Sequence, residues 1–104
     1  MTNQKESAGE NAQFFKMKPV SSRDCLFKKA ESDAGVVVNL KNGIYYTLNG
    51  SGLILWEAMN GKRTVHQISG RLAKRYGLRP SRALRDTAAY VRNLKRLDLI
   101  KGIF

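Results

Sequence analysis

The sequence is poor in the residues on which small enzymes build their chemistry. Its 104 residues include one cysteine, one histidine and eight acidic side chains. A lone cysteine excludes an internal disulfide and agrees with a reducing compartment. The carboxylates fall in different predicted elements, with no pair at one-turn helical spacing. We therefore predict no catalytic residue and no metal site, and we assign no cofactor.

The single histidine and the single cysteine lack the neighbours that nucleophilic catalysis needs. His66 lies in a helix-start segment, where a solvated side chain is the ordinary outcome. Cys25 stands beside Leu26 and Phe27, which is typical of a small buried apolar residue. No glycine-rich phosphate loop or dinucleotide-binding motif follows a predicted strand. The composition therefore favours a binding protein over an enzyme.

Long hydrophobic runs are also missing. The longest, such as Leu53-Ile54-Leu55-Trp56, are far shorter than the roughly 20 residues of a membrane helix. The first twenty residues lack the apolar stretch of a secretory signal. We predict a cytoplasmic protein without a membrane partner.

Positive charge is abundant. Nineteen Lys and Arg against eight Asp and Glu give a formal net charge of +11, which favours an anionic partner such as nucleic acid, a membrane surface or an acidic peptide. Charge does not choose among these partners. A solvated cationic face on a helical bundle accounts for it equally well.

The polar composition of the first part of the chain predicts a disordered tail over residues 1–17, followed by one domain over residues 18–104. The tail has no apolar periodicity with which to offset the entropy of ordering. Phe14 and Phe15 are its exception, and we expect them to be an exposed aromatic pair.

Three strands are predicted in the first half of the domain. They are Cys25-Leu26-Phe27-Lys28, Val36-Val37-Val38-Asn39-Leu40 and Ile44-Tyr45-Tyr46-Thr47-Leu48. Asn42-Gly43 joins the last two and suits a type I′ hairpin turn. Alternation places Ile44, Tyr46 and Leu48 on one face of the third strand.

Three helices are predicted after the strands. Asn49 or Ser51 caps the first, and Asn60-Gly61 ends it; Thr64 and Gln67 form a capping box for the second, which ends at Gly77. The third runs from near Ser81 to near Lys101-Gly102. Apolar spacing predicts three sets of core positions, one for each helix: Leu53, Trp56 and Met59; Val65, Ile68, Leu72 and Tyr76; Leu84, Ala88, Val91, Leu94 and Leu97. The fold class is α+β.

The third strand offers a docking line if it lies at the edge of the sheet. Its unpaired N–H and C=O groups can then add an extended peptide as a further strand, with the third helix walling the same groove. The alternative is that Tyr45, Tyr46 and Trp56 are only core aromatics.

A second hypothesis is a small helix-turn-helix regulator that binds DNA with its third helix. Arg79, Arg82 and Arg85 cluster at the start of that helix, and Gly77 is a suitable turn glycine. However, the hairpin precedes all three helices, whereas a wing follows the recognition helix, and no dimerisation helix is evident. These points count against nucleic acid as the partner. A structural subunit of an enzyme complex is a third hypothesis.

An ordered series of motifs resembles a known family. The series is Gly43-Ile44-Tyr45-Tyr46-Thr47-Leu48-Asn49, Gly52-x-x-x-Trp56-Glu57, Gly61-x-x-Thr64-Val65-x-x-Ile68-x-x-x-Leu72 and Leu94-x-x-Leu97-x-x-Ile100. Over roughly residues 22 to 101 it is similar to PqqD-type domains, the recognition elements for ribosomally synthesised and modified peptides (RiPPs). The tyrosine pair is closer to the stand-alone forms of lasso-peptide clusters than to the pyrroloquinoline quinone protein.

The resemblance implies a winged helix-turn-helix topology that binds the leader of a precursor peptide and presents it to a leader protease or modifying enzyme. The leader adds to the third strand, along the backbone of Ile44, Tyr45, Tyr46, Thr47 and Leu48. The other wall is the third helix, with Leu84, Arg85, Ala88, Val91, Arg92 and Lys95 as candidates. The high positive charge departs from this pattern, and we attribute it to an acidic leader or partner enzyme.

Overall fold

The computed structural model describes residues 12–30 and 33–104 of the chain. A short helical segment over residues 12–16 comes first. The elements that follow are β1 (Lys18–Ser21), β2 (Cys25–Lys29), β3 (Ala34–Asn39), β4 (Tyr45–Asn49), α1 (Gly50–Ala58), α2 (Val65–Tyr76), α3 (Pro80–Arg96) and β5 (Ile100–Ile103). The predicted order of three strands followed by three helices is confirmed by β2 to β4 and α1 to α3.

The three predicted strands form one antiparallel sheet in the order β2-β3-β4. The hairpin between β3 and β4 is confirmed, but the type I′ turn is wrong. Such a turn needs a positive φ at both central residues, and here Gly43 has one (+76°) while Asn42 does not. The loop spans residues 40–44. In it the Gly43 N–H donates to the Asn39 carbonyl at 2.8 Å, and the Ile44 N–H donates to Asn42 Oδ1 at 2.9 Å.

Local signals set the start of α1 and both ends of α2 as predicted, whereas α1 ends at Ala58, before the predicted stop at Asn60-Gly61. Asn49 occupies the N-cap of α1, although its side chain makes no capping hydrogen bond. The capping box of Thr64 and Gln67 opens α2. Gly77 closes α2 in the left-handed conformation, and the next N–H, that of Leu78, returns to the Ala73 carbonyl at 3.0 Å.

The predicted end of the third helix near Lys101-Gly102 is wrong, because α3 ends at Arg96. Asp98 takes a positive φ of 61°, and the Leu99 N–H returns to the Leu94 carbonyl at 3.0 Å. This is a Schellman closure with aspartate in the usual glycine position. The chain then enters β5, which pairs antiparallel with β1 as a two-stranded ribbon.

The part of the predicted tail that the structure describes packs on the domain. Phe14 and Phe15 are half-buried against the core, so the expectation of an exposed pair is wrong. Met17 is only 1% exposed, and its side chain fills the space that a Cβ at Gly102 would occupy. Residues 1–11 of the predicted tail lie outside the described residues.

The core lies between the inner face of the sheet and the helices. Val37 and Leu48 face inward from the sheet, and nine of the predicted helix positions are buried: Leu53, Trp56, Met59, Val65, Ile68, Leu72, Ala88, Val91 and Leu94. Leu84 and Leu97 are half-buried. Tyr76 is 45% exposed, so its predicted core position is wrong.

Met17 is expected to be part of the folded domain. Met17→Ala should lower the free energy of unfolding by about 2–5 kcal/mol, the usual range for truncating a buried methionine to alanine. Lys16→Ala, at the exposed neighbouring position, should change it by less than about 0.5 kcal/mol. Urea denaturation followed by circular dichroism measures both, and equal stabilities would contradict the assignment.

Candidate functional site

β4 lies at the edge of the three-stranded sheet and pairs with β3 on one side only. The Asn39 N–H donates to the Ile44 carbonyl at 2.8 Å, and hydrogen-bonded pairs alternate along an antiparallel ladder. Tyr46 and Leu48 therefore exchange hydrogen bonds with their partners Val37 and Gly35. The backbone N–H and C=O groups of the alternate residues, Tyr45 and Thr47, consequently point toward the open edge.

An open groove of about 590 Å³ runs beside this edge. One wall is β4 with the first turns of α1, and the opposite wall is α3. The end of α2 closes the base. The groove as a whole is lined by Tyr46, Thr47, Leu48, Asn49, Ser51, Gly52, Leu55, Leu72, Tyr76, Leu78, Arg82, Asp86 and Tyr90. Four leucines and three tyrosines make it mostly apolar, as peptide-binding clefts are.

Two tyrosines join the walls of the groove. The Tyr90 hydroxyl on α3 donates to the Gly52 carbonyl in α1 at 3.2 Å. Asn93 Nδ2, one turn further along α3, donates to the Tyr46 hydroxyl on β4 at 3.3 Å. These hydrogen bonds connect α3 to both elements that face it.

The groove holds one ion pair. Arg82 Nε and Asp86 Oδ2 lie 3.7 Å apart on successive turns of α3, and both side chains are at least half exposed. A pair of this kind contributes about 0.3–0.5 kcal/mol, so it does little for stability. Its effect is to place both signs of charge beside Tyr90 on the α3 wall.

Burial raises the pKa of the Tyr90 phenol well above its ordinary value, and the nearby Tyr46 adds to the rise. Burial also raises the pKa of the Cys25 thiol, and the Asp24 carboxylate adds to that effect. Cys25 lies on β2, which is not one of the elements that line the groove. The raised pKa values keep the Tyr90 phenol and the Cys25 thiol in their neutral forms at neutral pH.

The structure places the sequence-predicted residues unevenly. The backbone of β4 borders the groove through Tyr46, Thr47 and Leu48, whereas Ile44 precedes the strand and Tyr45 is 70% exposed on the other face. None of the six predicted α3 residues lines the groove. Leu84, Arg85, Ala88 and Arg92 line a hollow of about 300 Å³ on another face of α3 with Phe15 and Ser81, Val91 is buried, and Lys95 is exposed. Peptide contact by any of the six remains a prediction.

Sequence reasoning missed the helical wall formed by Arg82, Asp86 and Tyr90. These residues recur every four positions and lie beside the buried stripe of Ala83, Thr87 and Val91. The spacing marks a helix face, but it does not say which flank of the buried stripe faces the sheet. The mixed charged and aromatic character of this face is the only signal that the sequence offers for it.

Within the described part of the chain, no three metal-ligating side chains are grouped. None of the helices described there is long and apolar enough to cross a membrane.

The fold and the groove define a class, a small α+β module with an open strand edge beside a helix. The profile of the family described as "Coenzyme PQQ synthesis protein D (PqqD)" matches residues 34–100. This stretch contains β3, β4 and all three helices, and it is more than half of the chain. The chain belongs to the PqqD family. Comparison with curated proteins gives no match.

Solved structures of the same fold include proteins described with bound peptides. TbiB1 in complex with the TbiA(beta) leader peptide superposes with a TM-score of 0.73 at 20% identity, covering 82% of this chain and 98% of that one. Lasso peptide synthetase B1 complexed with the leader peptide gives a TM-score of 0.72 at 18% identity, covering 81% of this chain and 98% of that one.

A third similar structure comes from Methylobacterium extorquens. The solution structure of the PqqD truncation of its PqqCD, described as a stand-alone RiPP recognition element, gives a TM-score of 0.64 at 18% identity, covering 80% of this chain and 87% of that one. At these identities the likeness establishes the fold.

The raised pKa of Tyr90 predicts a stability that falls in alkali. In the unfolded chain the phenol ionises near pH 10, whereas the native protein keeps the proton to higher pH. The stability that the folded protein gains from the protonated Tyr90 phenol is therefore fully present below about pH 10, and it is lost as the pH rises above that value. Tyr90→Phe should lose less stability than the wild type between about pH 9.5 and 11, measured by urea denaturation. Equal losses would contradict the assignment.

Proposed function

We propose that this protein is a non-catalytic, cytoplasmic module that binds the leader of a ribosomally synthesised precursor peptide and presents it to a protease or modifying enzyme. The observation that carries the proposal is the open backbone edge of β4 beside the groove. Family membership and the peptide-bound state of two similar structures support it.

The peptide docks as a fourth strand next to β4. Tyr45 and Thr47 each offer one N–H and one C=O, which gives four backbone hydrogen bonds at roughly 0.5–1.5 kcal/mol net each. This pairing supplies affinity for any extended backbone. It does not distinguish one peptide sequence from another.

Selectivity comes from the groove. Alternate side chains of the added strand point to the same face, so every second peptide residue enters the space between β4 and α3. Large apolar side chains suit the floor formed by Leu48, Leu55, Leu72 and Leu78. One or two such anchors add about 1.5–3 kcal/mol each, enough with the backbone bonds for micromolar binding after ordering costs.

The helical wall of this site is Arg82, Asp86 and Tyr90. This assignment is our proposal in place of the six α3 residues predicted from the sequence, and it rests on the position of the groove. Arg82 and Asp86 offer a peptide either sign of charge at that wall.

The proposal is tested by a proline on the docking line. Thr47→Pro removes an N–H that points to the open edge, and it should weaken binding at least about tenfold because a backbone hydrogen bond is lost and the ring obstructs the next strand. Binding is measured by fluorescence anisotropy with a labelled synthetic leader peptide, whose sequence is first sought among the genes next to the one that encodes this protein.

Lys29→Pro is the matched control for this variant. Along β2 the Leu40 N–H donates to the Asp24 carbonyl at 2.9 Å, so alternation turns the Lys29 N–H to the opposite edge of the sheet. This variant should bind as the wild type does. Full affinity in a folded Thr47→Pro protein would refute strand addition at this position.

The positive charge is expected to act on the rate of encounter. Arg79, Arg82 and Arg85 lie at the start of α3, whose first turn has no acidic residue. Charges of this kind raise association rates more than they slow dissociation. Stopped-flow mixing with an acidic leader should show association slowing as salt rises from about 0.02 to 0.5 M, where the Debye length becomes much shorter. An association rate indifferent to salt would refute this role.

A further inference from the structure

Tyr90 links α3 to the first turns of α1 at the side of the groove. Its hydroxyl donates to the Gly52 carbonyl at 3.2 Å, and the side chain is half-buried. The ring itself lines the groove. The same side chain therefore lines the groove with its ring and connects the two walls through its hydroxyl.

Gly52 is the residue that admits this contact. A Cβ built at position 52 would lie 2.8 Å from the Tyr90 hydroxyl oxygen and 3.3 Å from Cζ. Alanine would therefore push the phenol away from the carbonyl that it bonds. Gly70, an exposed glycine in α2, is different, because a Cβ there meets nothing within 4 Å.

A second link lies one turn along α3. The Tyr46 hydroxyl on β4 accepts a hydrogen bond from Asn93 at 3.3 Å. The two phenols hold α3 against α1 at one point and against β4 at another. With both links made, the groove stays open between walls of fixed spacing.

We infer that Tyr90 is a positioning residue for peptide binding, which sets the width of the groove through its hydrogen bond to the Gly52 carbonyl. This inference rests on the proposed function. Walls that are already held at a fixed spacing spare the peptide the cost of ordering them, which is how preorganisation strengthens binding.

A double-mutant cycle tests the inference. The proteins are the wild type, Tyr90→Phe, Gly52→Ala and the double variant, each titrated with the labelled leader at a temperature where denaturation curves show it to be folded. Tyr90→Phe should weaken binding about three- to tenfold, because the peptide must then order the walls itself, at a cost no greater than about the value of one hydrogen bond. Gly52→Ala should weaken it at least as much, because it displaces the phenol.

The decisive result is the double variant. With the hydroxyl absent, the nearest atom to the new methyl is Cζ at 3.3 Å, which a small shift accommodates. Gly52→Ala should therefore cost at least about threefold less in the Tyr90→Phe background than in the wild type. Gly70→Ala, the matched exchange outside the groove, should leave affinity unchanged.

The outcomes separate the two proposals. If the wild type binds the leader and Gly52→Ala costs the same in both backgrounds, or Tyr90→Phe binds as the wild type does, the positioning role is overturned. If the wild type binds no leader, the proposed function fails first and the positioning role fails with it. Should Gly52→Ala not fold, Tyr90→Phe alone decides. This variant keeps the ring that lines the groove and removes only the hydroxyl that bonds the Gly52 carbonyl. Weaker leader binding by the folded Tyr90→Phe protein then supports the positioning role.

Discussion

The structure depends on the one-sided pairing of β4. Along an antiparallel strand, consecutive residues present their backbone groups to opposite sides. Val37 and Gly35 use the groups of Tyr46 and Leu48, and those of Tyr45 and Thr47 remain for a partner. Since the same alternation turns the Leu48 side chain into the core, strand pairing, core packing and the direction of the unpaired backbone groups are fixed by a single register. A slip by one residue would reverse all three.

The sheet and two of the three helices can be predicted because their signals are local. The β-branched run at Val36-Val37-Val38, the capping box of Thr64 and Gln67, and the glycine at position 77 each act within a few residues. Asn42-Gly43 predicts the hairpin but not the turn type, because the Asn42 side chain bonds the Ile44 N–H and a longer loop results. Local chemistry locates this turn without fixing its geometry.

Features that need distant partners cannot be read in the same way. β1 and β5 are four residues each and are separated by most of the chain, so neither has enough periodicity to be recognised alone. The sequence pattern extends α3 too far because Leu94, Leu97 and Ile100 keep helical spacing, whereas Asp98 at a positive φ ends the helix. Phe14 and Phe15 look like tail residues until the core that they contact is known.

The helical wall shows the same limit at the site. Alternation within β4 identifies the backbone groups that face the open edge, because a strand has two edges and the order of the sheet leaves one open. A helix has many faces, and the sequence of α3 shows its buried stripe without saying which flank meets the groove. The DNA hypothesis depends on the same uncertain face. In the structure Arg82 lies on the groove wall, opposite β4. It is therefore part of the groove and not of a separate surface of α3.

An open edge is also a hazard, because it can pair with any exposed strand, including another copy of this chain. Two features restrict it here. The strand is five residues long and leads directly into α1, and α3 lies across the groove from it. Two copies would also bring together molecules that each carry a net charge of +11, which opposes self-association. The net positive charge therefore opposes the pairing of two open edges, whether or not the ligand is acidic.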